Sequence, residues 1–324
     1  MTMVAVYVDD ILLTGSSTAE IQNLKQQLHA SFGIKDLGHL HYFLGFEVCH
    51  LPDGVSLTQR KFTQELLKSS GHLHAKPTAT PLPLNCKLKA YEGVPLSDPT
   101  VYQTYIGKLN FLSNTRPDIA FAVQTLSQFM QHPTSSHIAA LEHLLKYISV
   151  TSGQGILLRG ADSLKLTAYS DSGWPSCPIS RRSVTGYIVL LDKSPISWKS
   201  KKQNTVARSS GEAEYRVMVQ AAAEVTWFVS LLQELGVSHL KPVTLHCDNQ
   251  SALHIGRNPV SHERTKHIRV DCHFTRDKVM EGLLHLSYLP GHSQLADVFT
   301  KILPSTQHWE LLTKIGMLKS PSQA

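Results

Sequence analysis

No two of the five cysteines (Cys49, Cys86, Cys177, Cys247 and Cys272) form a CxxC pair, and their number is odd. That pattern excludes a zinc knuckle and a disulfide framework and points to a reducing, intracellular setting, cytoplasm or nucleus. The N-terminus has no basic segment and reaches Asp9 and Asp10 almost at once, so no secretory leader is expected and the chain reads as not secreted. Nor does any apolar run approach the roughly 18 residues a membrane span needs, so no membrane partner is expected. Internal repeats and low-complexity blocks are absent as well.

What remains is the composition of a globular protein. Apolar residues make up 42% of the 324, enough to bury sizeable cores, and the length suggests two or three domains. A formal charge of +6 suits a polyanionic partner such as nucleic acid, although many soluble proteins share that balance.

Periodicity organises the chain. Met3 to Leu13 reads as two apolar strands hinged on Asp9 and Asp10, a hairpin with the acids at its tip. A helix follows over Thr18 to Phe32 behind Ser16 and Ser17. A second hairpin is expected from His41 to Cys49 and Gly54 to Leu57, with Pro52, Asp53 and Gly54 turning it, and then a short helix from Phe62 to Ser70. The Pro-rich stretch from Lys76 to Pro99 reads as a linker or long connection. Helical spacing returns over Val101 to Ser113, Asp118 to Met130 and Ser135 to Ser149. Strands are predicted at Leu164 to Ser170, Thr185 to Leu191 and Pro195 to Ser200, before a long helix from Ser210 to Leu235. Beyond it come a strand from Val243 to Cys247, helices from Asn249 and over Val270 to Glu281, a strand from Leu284 to Leu289, and a last helix near Gln294 to Ile302. Three strands followed by alternating helices and strands argue a mixed α/β sheet with flanking helices.

Adjacent carboxylates at a rigid turn, as in Tyr7-Val8-Asp9-Asp10, can hold Mg²⁺ against a nucleotide's phosphates; a solvated acidic turn is the plain alternative. This tetrad resembles the catalytic hairpin of reverse transcriptases in the spelling of the copia-type (Pseudoviridae) retrotransposons. Asp36-Leu37-Gly38, Tyr42-Phe43-Leu44-Gly45-Phe46-Glu47 and Thr115-Arg116-Pro117-Asp118 are similar to the same family, and the resemblance runs to about Pro304. It implies four parts: a truncated α+β palm at 1–75, a thumb- or connection-like helical region at 76–160, a ribonuclease H domain at 161–305, and a C-terminal tail at 306–324. In the family a further metal-binding aspartate and the nucleotide-binding fingers lie upstream of this hairpin. The expectation is therefore no DNA synthesis by this chain alone, despite Asp9 and Asp10.

The C-terminal half carries a second acidic set. Asp171 closes Ala168-Tyr169-Ser170-Asp171, Glu214 lies in Ser209-Ser210-Gly211-Glu212-Ala213-Glu214-Tyr215-Arg216, Asp248 follows His246-Cys247, and Asp297 opens Asp297-Val298-Phe299-Thr300-Lys301. Each has a bland alternative: Asp248 and Asp297 as helix caps, Glu212 or Glu214 as partners of a helix dipole. Residues two apart on a helix face nearly opposite ways, so only one of Glu212 and Glu214 can face a sheet. The set resembles the ribonuclease H portion of copia-type polyproteins, as do Arg264-Thr265-Lys266-His267-Ile268 and Val270-Asp271-Cys272-His273-Phe274. The resemblance selects Glu214, which directly precedes the Tyr-Arg pair. It implies two Mg²⁺ ions, bridged by Asp171, with Glu214 and Asp248 at the ion near the leaving group and Asp297 at the ion that activates water. Hard carboxylate oxygens suit Mg²⁺ where His or Cys would not.

His262-Glu263 and His267 imitate a zinc-protease motif, but one residue too many separates the histidines. His292 sits where many ribonucleases H carry a proton-shuttling histidine, at a shorter interval to Asp297 than in cellular relatives. Arg181, Arg182, Lys199, Lys201 and Lys202 read as a solvated hairpin by themselves and as phosphate contacts beside a nuclease site. The expected activity is Mg²⁺-dependent cleavage of the RNA strand of an RNA–DNA hybrid, with the hybrid and other retroelement proteins as partners. Two other readings stay open: a degenerate remnant that binds nucleic acid without cutting, and an interaction module completing a polymerase from another copy of the element.

Overall fold

The structure is a computed structural model that describes residues 2–160, 164–174, 180–257 and 269–317. Cys177, the His262-Glu263 and His267 triplet, the Arg264 to Ile268 stretch and the end of the tail, 318–324, lie outside the described residues.

The chain opens with the expected hairpin, β1 (Thr2–Tyr7) and β2 (Asp10–Gly15), joined by Val8 and Asp9. Helix α1 (Thr18–Phe32) follows, its Ser17 side chain accepting from the Glu20 amide and Gly33 closing it in the left-handed region. None of its residues is buried, so this first segment contributes little hydrophobic stability. The second hairpin gains a third strand: β3 (Tyr42–Phe43) turns through Leu44 and Gly45 into β4 (Phe46–Leu51), which pairs with β5 (Gly54–Thr58).

Strand β6 (Gly155–Arg159), which periodicity did not reveal, completes this four-stranded antiparallel sheet by pairing with β5. A Cβ on Gly155 would stand 2.1 Å from the Leu57 carbonyl oxygen, so only glycine lets the two strands approach there. Helices α2 (Arg60–Ser69), α3 (Thr100–Leu112), α4 (Ala120–Ser127) and α5 (Ser135–Val150) pack into one core around Leu66, Ile106, Leu126 and Leu144. The Pro-rich stretch before α3 is a fixed connection, not a loose linker. Leu82 is buried in that core, Thr78 donates to the His143 carbonyl at 3.2 Å, and the His143 ring meets the Thr80 carbonyl at 3.0 Å.

The C-terminal half holds the mixed α/β sheet expected from the sequence. Strands β7 (Leu166–Gly173), β8 (Val184–Leu191) and β9 (Ser194–Lys202) form an antiparallel meander. Helix α6 (Ser210–Glu234) crosses over to β10 (Val243–Cys247), parallel to β7, and helices α7 (Gln250–Arg257) and α8 (Arg269–Met280) lead to β11 (Leu284–Tyr288), parallel to β10. The order is β11-β10-β7-β8-β9. Alternation along β8 sends Tyr187 and Val189 toward α6 with Val217, Met218 and Val225, and Ile188 and Leu190 toward the opposite face with Phe299 and Leu311. A strand covered on both faces reads as a continuous apolar run, as Tyr187 to Leu191 of β8 does.

Two expectations at the C-terminus need correction. The last helix, placed near Gln294 to Ile302, is a five-residue 3₁₀ turn, Leu295–Phe299. The stretch read as a tail is instead a helix in its described part, α9 (Ser305–Lys314). His308, Leu311, Leu312 and Ile315 share one face of it and are buried, which draws the segment onto the sheet.

A fully buried polar network joins the helical region to α9. Arg116 donates in bidentate fashion to Asp118 at 2.9 and 2.7 Å and also to the carbonyl and hydroxyl of Thr151. Tyr147 donates to Asp118 at 2.8 Å, and its oxygen lies 3.1 Å from Nε2 of His308. The Thr115-Arg116-Pro117-Asp118 motif is thus an internal latch between elements far apart in sequence.

Candidate active site

The C-terminal ends of the parallel strands β7 and β10 lie side by side, with His246 opposite Tyr169. Asp171 and Asp248 therefore emerge at the same end of the sheet, where open α/β sheets place their ligands. Asp171 lies in the paired part of β7, opposite Gly186 of β8. Glu214 arrives from the second turn of α6, and its Oε1 accepts from the Ser172 amide at 3.1 Å. Asp297 comes from the 3₁₀ turn on the other face of the sheet. Asp171, Glu214 and Asp297 are buried, and Asp248 is partly buried.

The capping duties that could have explained these acids fall to neighbours. Asn249, not Asp248, accepts from the Ala252 amide at the start of α7. Gln294, not Asp297, accepts from the Ala296 amide. Ser209 caps α6, and Glu212 turns back to the Arg208 amide at 2.9 Å and to Arg216 at 3.0 Å. Glu212 is as buried as Glu214 but engaged elsewhere, which separates the two carboxylates as their helical register requires.

Crowding shows in the electrostatics. Burial, and then the charges of Asp171 and Asp248, push Glu214 well above the usual carboxylate range. Burial and Asp171 raise Asp248. Asp297 is pushed up to about 6 by burial and then by Asp171, against the pull of Lys301. Carboxylates that repel one another in a buried pocket are a donor set suited to a hard divalent cation. Oxygens of Glu214 and Asp248 lie within 4.8 Å of each other and of the Cys247 sulfur. Cys247 points into the core beneath Glu214, and burial pushes its thiol far up, away from the thiolate a metal would bind.

Sequence reasoning missed two residues here. Thr300 donates its hydroxyl to Asp171 Oδ2. Lys301 places Nζ 3.2 Å from Asp171 Oδ1 and 2.6 Å from Asp297 Oδ1. The four-residue spacing of Asp297 and Lys301 was the available signal. Gly186 makes room for this segment: a Cβ there would stand 2.4 Å from Thr300 Cγ2 and 2.9 Å from Phe299 Cβ.

The remaining expected residues are placed less directly. His292 is exposed in the 3₁₀ turn Gly291–Ser293. A Cβ on Gly291 would lie 3.6 Å from Asp248 Oδ2, so this loop abuts the site, though among the described residues no hydrogen bond joins the His292 ring to the four acids. Alternation along β9 puts Lys199 and Lys201 on one face and Lys202, with Ser200, on the other, so the basic run divides between two faces. Lys202 reaches Gln128 at 2.7 Å and Trp198 donates to the Ser113 carbonyl at 3.0 Å. Both border a cleft of about 700 Å³ between β9 and helices α3 and α4, with Asn110, Asn114 and Gln124 on its far wall. Arg181 and Arg182 precede β8 and are exposed. Asp9 and Asp10 are exposed at the first hairpin, and among the described residues they join no group of three potential metal ligands.

Comparison with known proteins gives the family. The model of the reverse transcriptase (RNA-dependent DNA polymerase) family matches residues 1–83. The retrovirus-related Pol polyprotein from transposon RE1 of Arabidopsis thaliana is 44% identical over 316 residues, covering 98% of this chain and 22% of that polyprotein. An uncharacterized mitochondrial protein of the same plant is 41% identical over 221 residues, 68% of this chain and 92% of its own length. Among solved structures, a compost-derived RNase H1 in complex with an RNA/DNA hybrid superposes with a TM-score of 0.32 at 16% identity, covering 42% of this chain and 96% of that one. The chain thus spans about a fifth of the RE1 polyprotein, and across nearly all of its own length it belongs to the Pol polyprotein family of copia-type retrotransposons.

Proposed function

We propose that residues 161–305, braced by α9, act as a ribonuclease H that cuts the RNA strand of an RNA–DNA hybrid, and that residues 1–75 and 76–160 are palm and thumb-like parts of a reverse transcriptase. The observation that carries this reading is the convergence of Asp171, Glu214, Asp248 and Asp297 from four elements while their neighbours do the capping. Two Mg²⁺ ions, when bound, would activate the attacking water and stabilise the leaving oxygen. The protein's part is to hold hard oxygen donors in a fixed, partly dry pocket. Glu214 is steadied by the Ser172 amide and Asp171 by Thr300. In the reaction the water oxygen gives up a proton and bonds to phosphorus, the bond from phosphorus to the bridging oxygen breaks, and that oxygen takes up a proton, so that no proton is gained or lost overall. His292, exposed on a loop whose Gly291 lies against Asp248, would pass protons between the site and solvent. No described helix is long and apolar enough to cross a membrane.

The test is a purified-protein assay on an RNA–DNA hybrid with Mg²⁺. Cleavage that requires the metal and the RNA strand's 2′-hydroxyls, and that disappears in Asp171→Asn, is the expected result. A folded wild type that binds the hybrid yet never cuts it would leave nucleic-acid binding alone as the function.

Arg181, Arg182, Lys199, Lys201 and Lys202 are proposed to contact the hybrid's phosphates, the lysines from the two faces of β9, which is an edge strand of its sheet. Counterion release then makes log affinity fall nearly linearly with log salt. Changing Arg181, Arg182, Lys201 and Lys202 to Gln should flatten that slope by up to about four units, near one for each phosphate no longer neutralised, without altering the metal requirement for cleavage. An unchanged slope in a salt titration would remove these residues from the interface.

A further inference from the structure

Lys301 is absent from any role assigned so far, yet it makes the shortest charged contacts of the site. Its ammonium lies between Asp171 and Asp297, at 3.2 and 2.6 Å. The position is built, not incidental. Gly186 leaves the space that brings Phe299 and Thr300 against β8, Ser200 donates to the Phe299 carbonyl at 2.7 Å, and the Lys301 amide donates to the Asp297 carbonyl at 3.0 Å. With the backbone pinned at both ends, the four-carbon stem can return the ammonium to the two carboxylates.

Those same carboxylates would be ligands of a divalent cation. Magnesium binds oxygen at about 2.1 Å, so an ammonium already in contact with the Oδ1 atoms would lie within a few ångströms of it, where like charges repel strongly in a partly buried pocket. The Lys301 side chain is 40% exposed, which gives it a route out to solvent. Its departure would carry the positive charge to the mouth of the pocket, toward a polyanionic substrate, while the dication takes its place.

We propose that Lys301 is a built-in counter-cation, which holds Asp171 and Asp297 together in the ion-free protein and must be displaced for a divalent ion to bind, so that it sets the ion concentration at which the site fills. The inference rests on the reading of the four acids as a divalent-cation site. It gives a physical reason why an ion-free chain tolerates so many carboxylates in one pocket: the residue that would otherwise compete for the ligands supplies the missing charge.

The experiment is Mg²⁺ titration by calorimetry on the full chain, with thermal midpoints recorded in EDTA and in saturating Mg²⁺. Lys301→Met should bind Mg²⁺ at least about tenfold more tightly than wild type, since a competing charge is gone. Its midpoint in EDTA should fall, and saturating Mg²⁺ should bring it back to the wild-type value or above. Lys301→Arg, which keeps the charge, should stay near wild type in affinity. Lys301→Gln keeps a donor for Asp297 without the charge and should bind more tightly than wild type, so it decides the matter if the methionine variant does not fold. Neutral variants that bind Mg²⁺ no more tightly than wild type would overturn the proposal. If wild type then still binds Mg²⁺ and cuts hybrid, only the role of Lys301 falls. If no form binds Mg²⁺, the metal-site reading falls with it.

Discussion

Asp171→Asn, Glu214→Gln and Asp248→Asn should each lower hybrid cleavage by at least about a hundredfold, and Glu214→Gln should at the same time make the ion-free protein more stable. Activity and stability separate in this way only where like charges are held together for a purpose. Glu214 is the cleanest case. Burial and two neighbouring aspartates raise its pKa, and the amide oxygen of Gln can still accept from Ser172. Asp297 gives the sign and the pH window. Its folded pKa of about 6 stands above the ordinary 3.8, so the folded chain binds more protons than the unfolded chain between those values. Its contribution is fully present below the lower value and is lost as pH rises through the higher one. At pH 7.5 the cost in the ion-free protein is on the order of 1 to 3 kcal/mol, reduced in any Asp297→Asn comparison because Lys301 loses a partner. The stability of Asp297→Asn relative to wild type should therefore improve as pH rises from about 4 to 7 and level off above that. Titrations of groups remote from the acidic site cancel in the difference, whereas those of Asp248 and Lys301, which face Asp297, shift with it. Glu212→Gln is the control: it gives up the charge paired with Arg216 at a cost of about 1 to 3 kcal/mol, because Glu212 is buried, and should keep cutting. If Glu212→Gln is inactive while Glu214→Gln cuts normally, the assignment of the helix register is wrong.

Elements with strong local periodicity are legible in the sequence itself. The bounds of α1 and β10 match their expected residues, and α6 ends one residue early. What local pattern could not show was anything decided at long range. Strand β6 is a five-residue strand, Gly-Ile-Leu-Leu-Arg, whose partner lies in another part of the chain, and nothing in Gly155 to Arg159 names β5. Helix α9 looked like a tail because its apolar face has meaning only against Phe299 and the sheet. The basic run around Lys199 to Lys202 looked like one surface until the period of the strand divided it. The acidic site was legible in a different way. Each carboxylate alone fits a cap or dipole partner, and only the resemblance to a family joined the four. That the caps are supplied by Ser209, Asn249 and Gln294 is a tertiary fact with no sequence signature. Lys301 could have been found from its spacing to Asp297, but its contact with Asp171 depends on Gly186, in a strand to which no helical spacing points.

Arg116→Met should strongly destabilise the chain's helical half. The substitution leaves Asp118 buried beneath α9 with only the Tyr147 hydroxyl as a direct partner. Burial works to raise the Asp118 carboxyl, and the adjacent guanidinium outweighs it, holding the pKa below the ordinary value. Removing one member of such a pair costs about 3–5 kcal/mol, because the other charge is stranded in a medium that solvates it poorly. The thermal midpoint should then fall on the order of 10 °C. Replacing both partners, as in Arg116→Met with Asp118→Leu, should recover part of the loss, since no charge is then stranded. A fall equivalent to less than about 1 kcal/mol in the single variant would mean that the pair is not the latch it looks to be. His308 adds a pH dependence of the opposite sign to that of Asp297. Burial pushes its pKa down to about 4, so the folded chain binds fewer protons than the unfolded chain between there and the ordinary 6.5. Its contribution is present above 6.5 and is lost as pH falls through 4. His308→Gln, whose amide can still donate to Tyr147, should therefore flatten the acid limb of the stability profile. Asp118 and His308 border the same small void of about 20 Å³ as Val298 and Lys301, which connects the latch to the segment carrying the acidic site. Well below its midpoint, the Arg116→Met variant should still cut hybrid at the wild-type rate per folded molecule. A lower rate there would mean that the latch also sets the position of Asp297 and Lys301.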